Sequence, residues 1–260
     1  MPEVLEVELT RSGLEPLVGD RVVRVVHTDP LVVADGVDAV VRGATFSGLR
    51  RRGKQLVIDT AGPRRAHVPL GVHLGMTGRV VLDRTSTIDV LVYGSRTDDA
   101  RWDRWVLAMA SGVMFRLHDP RRFARVTLDP DVGALGPDVL TLRRVDLAAA
   151  LARRRAPLKA VLLDQRAIAG LGNMLVDEVL WWSGLDPHRP AASLTADEVA
   201  ALQAAIRRRL PVLLRRGGSH TGTLSPAVRS GEAWCERDGA PLRHDTVGGR
   251  TTVWCPLHQH

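Results

Sequence analysis

The chain of 260 residues predicts an α+β protein, with a sheet-rich N-terminal half and a helical C-terminal half. Two observations carry that expectation. Short β-branched runs separated by Gly, Pro and Asp fill residues 21–128, and apolar residues recur at helical spacing from Val145 to Leu214. A third observation sets the partner class. The formal net charge is +7, and an excess of cations favours a polyanion because condensed counterions are released when Lys and Arg meet phosphates.

Residues 1–15 set Val4, Leu5, Val7, Leu9 and Leu14 among acids, which predicts a short helix behind the N-terminus. Runs 21–26, 55–59, 78–82 and 113–117 read as strands of a sandwich or barrel. This first domain is expected to span 1–130, followed by a linker over 131–144, whose start has turn-forming composition. Helices are expected at 145–155, from Leu158, at 174–183 and at 195–214, within a helical domain of 145–218. Ser193 and Thr195 ahead of Asp197 and Glu198 are N-terminal capping signals, and Gly217 with Gly218 ends the last helix. The tail, 232–260, has turns at Asp238-Gly239 and Gly248-Gly249 between strand-like pieces, as in a β-hairpin.

There is no run of eighteen apolar residues, and the N-terminus carries acids where a signal peptide has basic and apolar residues, so a cytoplasmic protein is expected. Cys235 and Cys255 are too few for a disulfide framework and leave a metal site or plain packing. No cluster of carboxylates marks a two-metal nuclease. Of 36 basic residues, 34 are Arg; only Lys54 and Lys159 offer the compact, titratable ammonium of lysine, which makes both candidates for specific work.

Several motifs bear on chemistry. Pro2 becomes a secondary amine once Met1 is removed, and such an amine can attack an anomeric carbon to form an iminium. Glu3 and Glu6 lie within reach for proton transfer. Alone, a proline at position two reads more readily as a processing-friendly residue. Arg50-Arg51-Arg52-Gly53-Lys54 reads as a basic hairpin turn. The stretches from His73 through Met76 to Gly78 and from His118 through Arg121 to Phe123 read as loops, with core packing the alternative for Met76 and Phe123. In the string from Leu158 to Glu178, glycines ahead of Asn173 would let the chain approach a phosphate at a helix N-terminus. In the tail, Cys235 and Asp238, then Cys255 and His258, form a two-plus-two arrangement. Asp and His are competent zinc donors, although carboxylates are uncommon in structural sites. His244 or His260 could substitute, or Trp234 and Trp254 could pack a finger that holds no metal.

In this order the motifs resemble those of the formamidopyrimidine-DNA glycosylase and endonuclease VIII family, in an actinobacterial-like form with an altered finger. The resemblance runs from residue 2 to residue 258; the departures are Leu5, where the usual form has a second proline, and two missing finger cysteines. It implies a β-sandwich N-terminal domain with flanking helices, then a helical domain with a helix-two-turns-helix element and a hairpin finger, zinc-bound or zincless. The implied function is a bifunctional glycosylase and abasic-site lyase that excises oxidised bases in base excision repair through a Schiff base on Pro2. Glu3 would serve the sugar ring oxygen, Glu6 would be its local partner, and Lys54 would contact the phosphate flanking the lesion.

The DNA contacts implied are His73, Met76, Arg121, Phe123, Lys159, Asn173 and Arg250. Met76 and Phe123 would be wedges, offsetting the cost of extruding a base, and Arg121 would address the orphaned base. Structural zinc would sit on Cys235, Asp238, Cys255 and His258, and catalysis would need no cofactor. The implied partner is double-stranded DNA containing damaged bases or abasic sites, met by a monomer at the bacterial nucleoid. A reading from another class is a non-catalytic binder of damaged or abasic DNA; Pro2 beside Glu3 argues for the enzyme. Residues 219–233 suggest a compact turn where the purine-specific branch carries a long loop, predicting weak excision of 8-oxoguanine. Arg121 with Phe123 resembles that branch and points the other way.

Overall fold

The computed structural model describes residues 2–62, 67–88, 90–92, 94 and 97–260. Met1, whose removal the Pro2 chemistry requires, lies outside them. The chain forms two compact units, Met1–Val132 and Gly133–His260.

The first unit opens with helix α1 (Val4–Gly13), and the strands follow: β1 (Val22–Thr28), β2 (Thr45–Arg52), β3 (Gln55–Ala61), β4 (Val68–His73), β5 (Arg79–Leu82), β6 (Thr85–Ser86), β7 (Asp103–Met109), β8 (Met114–His118) and β9 (Arg125–Leu128), with a short helix α2 (Val37–Val41) after β1. They make two antiparallel sheets, in the orders β1-β7-β8-β5-β6 and β2-β3-β4-β9. Inward residues of both sheets form one core. Phe46, Leu56, Ile58 and Leu70 come from one sheet, Val22, Trp105, Leu107, Phe115 and Leu117 from the other, and Val7 of α1 and Leu14 just after it join them. Phe115 meets Phe46 and Trp105 edge-on at 6.2 and 5.6 Å, an aromatic geometry that adds to area burial.

Strand β7 does not announce itself by alternation, because it is buried at nearly every position. Its first two residues are charged, and a buried charge needs a partner. Asp103 receives Arg116 at 2.8 Å and His118 at 3.0 Å, while Arg104 donates to the Asp119 carbonyl at 2.7 Å.

The second unit contains α3 (Arg144–Leu151), α4 (Leu158–Leu163), α5 (Asn173–Ser183), α6 (Ala196–Arg215), α7 (Pro226–Ser230) and the hairpin of β10 (Arg243–Val247) with β11 (Arg250–Trp254). Helix α3 stops four residues short of the expected 155, because Arg153 turns left-handed at φ 67° ahead of Pro157. Helix α6 begins on a reciprocal capping box, Thr195 with Glu198, as the capping signal predicts. Helix α5 is the centre of this unit and is buried without a break from Met174 to Trp181. Among the described residues, no helix is long and apolar enough to cross a membrane.

Candidate active site and nucleic-acid interface

Pro2 is buried directly ahead of α1, and Glu3 is the residue that caps this helix. The Glu3 side chain accepts from the Glu6 N–H, and the Glu6 carboxylate accepts from the Glu3 N–H at 2.7 Å. Two carboxyl side chains, 2% and 3% exposed, are thereby fixed beside the proline. One turn on, Glu8 receives Arg51 of β2 at 2.8 Å and Arg11 at 2.9 Å, and Arg51 also donates to the Gly53 carbonyl at 3.0 Å. This ties α1 to the β2–β3 turn. Gly53, at φ 57°, takes the left-handed position that a two-residue hairpin turn requires, and Lys54 stands half-buried at the tip.

His73 is the neighbour of that turn, since it pairs with Gln55 across β3 and β4. Its Nδ1 accepts from the Gly75 N–H at 3.1 Å, so in the neutral ring the proton sits on Nε2. Burial, and after it the Lys54 ammonium, push the imidazole below its usual 6.5. Pro2, Glu3, Glu6, Lys54 and His73 are thus carried by elements that hold one another in a single unit. The expected wedges belong to the same unit. Met76 is half-buried, and Phe123 is 42% exposed with the Arg121 guanidinium 4.6 Å from its ring centre, so Phe123 is no core residue.

In the second unit, α4 and α5 flank two turns organised by Gln165. Its amide donates to the carbonyls of Leu163 and Leu171, each at 2.9 Å, and its oxygen accepts from Gly170 N–H at 2.9 Å. Gly172 then caps α5, which begins at Asn173. The Asn173 amide donates to the Thr251 carbonyl of the hairpin at 2.9 Å. Gln165 belongs to the quoted motif but carries no signal of its own, because a polar residue between helices reads equally well as solvated loop.

Lys159 requires a correction. It is fully buried, with Nζ 2.7 Å from Asp177 and 2.8 Å from the Thr251 carbonyl, so it does not present its ammonium to a phosphate. Asp177 also receives Arg229 at 2.6 Å and the Val253 N–H at 3.1 Å. Arg229 reaches Thr251 as well, at 3.2 Å. An acid inside the apolar run of α5 was the legible sign of this knot, because such a carboxylate demands cations.

The hairpin turn has Gly248 and Gly249 at φ 59° and 71°, the pair of left-handed residues that a tight two-residue turn requires, and Arg250 follows exposed. At its base, the donor atoms of Cys235, Asp238, Cys255 and His258 lie within 4.8 Å of one another. His258 Nδ1 is 2.7 Å from Asp238 and 3.4 Å from Cys235 Sγ, while Cys255 Sγ is 3.3 Å from Asp238. His258 Nε2 is 3.2 Å from the Trp181 carbonyl, which can only accept. The Ala240 N–H, and after it His258, hold the Asp238 carboxyl down at about 2. The two tryptophans do not pack the finger as a pair, since Trp234 is 67% exposed and only Trp254 is buried.

A sheet unit headed by a buried proline with two fixed carboxylates, and a helical unit with a glycine-lined helix start and a hairpin finger, match the architecture expected of a DNA-repair glycosylase. A profile described as the formamidopyrimidine-DNA glycosylase N-terminal domain matches residues 1–126, and one described as the H2TH domain of the same enzyme matches 135–225. Formamidopyrimidine-DNA glycosylase of Moorella thermoacetica is 36% identical, over 98% of this chain and 91% of its own length. The crystal structure of the MutM (Fpg) protein from Thermus thermophilus is similar at a TM-score of 0.80 and 32% identity, over 99% of this chain and 98% of that one. The Lactococcus lactis Fpg in complex with DNA containing an abasic site matches at a TM-score of 0.82 and 26% identity, over 99% of both chains. The chain belongs to the formamidopyrimidine-DNA glycosylase family.

Proposed function

We propose that this chain, like its family a DNA glycosylase and abasic-site lyase, excises oxidised bases from duplex DNA and cleaves the abasic strand with Pro2 as nucleophile. After loss of Met1, the Pro2 nitrogen attacks C1′, the N-glycosidic bond breaks, and the base leaves with a proton. The C1′–O4′ bond then opens, the ring oxygen taking a proton from Glu3 while the nitrogen lone pair closes on C1′, and the resulting iminium acidifies C2′. Loss of the C2′ proton expels the 3′ phosphate, a second elimination expels the 5′ phosphate, and water releases the enzyme. Glu3 serves the proton on the sugar ring oxygen, and Glu6 holds Glu3 in place. The positive end of α1 disfavours a protonated amine beside it and so favours the nucleophilic form. Lys54 neutralises the phosphate flanking the lesion, Asn173 and Arg250 hold the strand, and Lys159 acts only by fixing Asp177 and Thr251.

The observation that carries this reading is the buried Glu3–Glu6 box immediately behind Pro2. Borohydride added to processed protein with abasic duplex should trap a covalent adduct at Pro2. Failure to trap while DNA binding persists would instead support a non-catalytic binder. The substrate sets the place of work as nucleoid DNA in the cytoplasm, where the chain acts as a monomer.

The finger fits zinc. Tetrahedral ligation with sulfur, nitrogen and oxygen donors puts ligand atoms about 3.3–3.8 Å apart, close to the 3.3 and 3.4 Å of the thiol contacts, whereas His258 and Asp238, at 2.7 Å, would have to part by about 0.6 Å to admit the ion. With Nε2 donating to the Trp181 carbonyl, Nδ1 is the ring nitrogen turned into the cluster; its 2.7 Å approach to Asp238 is a direct hydrogen bond, and zinc would take the place of that proton. Cys235, Asp238, Cys255 and His258 would hold a structural ion, and no reaction step passes through it. Protein prepared without added zinc should contain about one equivalent, lost in C235S. Zinc-free wild type that folds and binds DNA would establish the metal-free finger.

The stretch between α6 and the finger is a pinned strap. Leu224 N–H donates to Glu178 at 3.0 Å, a Cβ on Gly222 would fall 2.8 Å from the same carboxylate, and Arg229 is bound to Asp177. On this reading little backbone is left to close over an extruded purine, and a site without such donors discriminates poorly. Excision of 8-oxoguanine opposite cytosine should be slower than excision of thymine glycol or hydantoins in matched duplexes; the reverse order would withdraw this part.

A further inference from the structure

Two loops of the first unit, residues 74–78 and 119–124, meet on one carboxylate. The first carries Met76, and the second carries Arg121 and Phe123. Asp119 between them is completely buried. Its Oδ1 accepts from the Thr77 hydroxyl of the first loop and from Arg121 N–H at 3.1 Å. Its Oδ2 accepts from the N–H groups of Phe123 and Ala124, each at 2.7 Å. The backbone of Asp119 is fixed as well, its N–H donating to the Trp102 carbonyl at 2.8 Å and its carbonyl receiving Arg104 at 2.7 Å. Bonds to an ionised carboxylate are among the stronger neutral-donor hydrogen bonds, and four on one buried group leave the loops little freedom.

The loops also touch directly. Gly75, at φ 62°, lies so close to the second loop that a Cβ would fall 2.5 Å from the Phe123 carbonyl. Arg122, left-handed at φ 56°, is held by Asp29 at 2.6 Å. The backbone is therefore constrained on both sides, while Phe123 and Arg121 point their ends to solvent.

We infer that Asp119 is a positioning residue that makes Met76, Arg121 and Phe123 one preformed wedge, so that neither loop enters the duplex without the other. The inference rests on the reading of those three side chains as the groups that fill the space of an extruded base. Loops ordered beforehand avoid an ordering cost on binding. That gain is realised on a duplex lesion and is absent at an abasic site in single-stranded DNA, where there is no stack to replace.

Single-turnover base excision from a lesion duplex and strand cleavage of single-stranded abasic DNA should be measured side by side in D119N, T77V, M76A and F123A. D119N turns an acceptor into a donor facing N–H groups, whereas T77V removes only the bond between the loops. Both should lower duplex excision about tenfold more than single-strand cleavage, the scale of one lost hydrogen bond to a charged group, and both should flatten the preference for the opposite base. If M76A and F123A leave duplex excision intact, the wedge reading itself falls. If they lower it while T77V leaves both the ratio and the opposite-base preference at wild-type values, the inference about Asp119 is overturned; T77V alone decides should D119N fail to fold.

Discussion

The β2–β3 turn of the first unit and the α4–α5 element of the second each hold one of the chain's two lysines, and they hold them in opposite ways. Lys54 stands half-buried at the tip of a turn anchored to α1 through Glu8 and Arg51. Lys159 has no exposure at all and joins Asp177 to the hairpin carbonyl of Thr251. One lysine is partly exposed on a turn with a fixed backbone. The other is consumed in fixing a backbone, the Thr251 carbonyl, to which Asn173 also donates, while Arg250 beside it is exposed. The same scarcity of lysine therefore marks a partly exposed turn residue in one unit and a buried support in the other.

The largest expected effect follows from breaking the buried knot. D177N leaves Lys159 and Arg229 without their carboxylate in a dry interior, a change that typically costs about 3–5 kcal/mol. K159M should cost clearly less, because Asp177 keeps Arg229 and the Val253 N–H while an apolar side chain of similar length fills the space. Urea denaturation of both variants measures the order; K159M as damaging as D177N would mean that the lysine itself carries the knot.

A smaller effect, and one of a different kind, is expected at the turn. K54A should leave stability within about 0.5 kcal/mol but weaken binding to lesion duplex, and should lower the salt dependence by about one charge. K159M should leave that slope as it is. Binding titrations across a salt series test the comparison directly, and an equal slope change in both variants would return Lys159 to the phosphate.

The sequence carried most of the architecture because the elements obey local rules. The Thr195–Glu198 box starts α6 as its spacing requires, and the glycines at 53, 248 and 249 sit where tight turns need them. What escaped was set by distant partners. Strand β7 reads poorly because Asp103 and Arg104 are buried against groups on other elements, and Asp119, though three of its donors are local, is tied by Thr77 to a loop 42 residues away. The site motifs were legible as a set, yet the direction in which a side chain points was not: Lys159 looks like Lys54 in sequence, and only the acid at position 177 distinguishes them. Trp234 and Trp254 likewise share a cysteine neighbour, while one is exposed and the other buried.

The finest expected effect lies at His73, where the charge of Lys54 is felt within the protein. Burial lowers the imidazole below 6.5, with the Lys54 ammonium as the second cause, and the Gly75 N–H occupies the Nδ1 lone pair. Because the folded value is the lower one, the unfolded chain takes up the proton first. The folded state is therefore penalised as pH falls through 6.5 toward the folded value, and this group contributes no pH dependence above that window. An NMR titration should give a His73 midpoint below 6.5, moved upward in K54M, which removes the ammonium but keeps the stem. H73Q, neutral throughout, should lose less stability than wild type between pH 7 and pH 5. A midpoint at or above 6.5, or one indifferent to K54M, would separate His73 from the turn and leave Lys54 without the electrostatic neighbour that distinguishes its setting from that of Lys159.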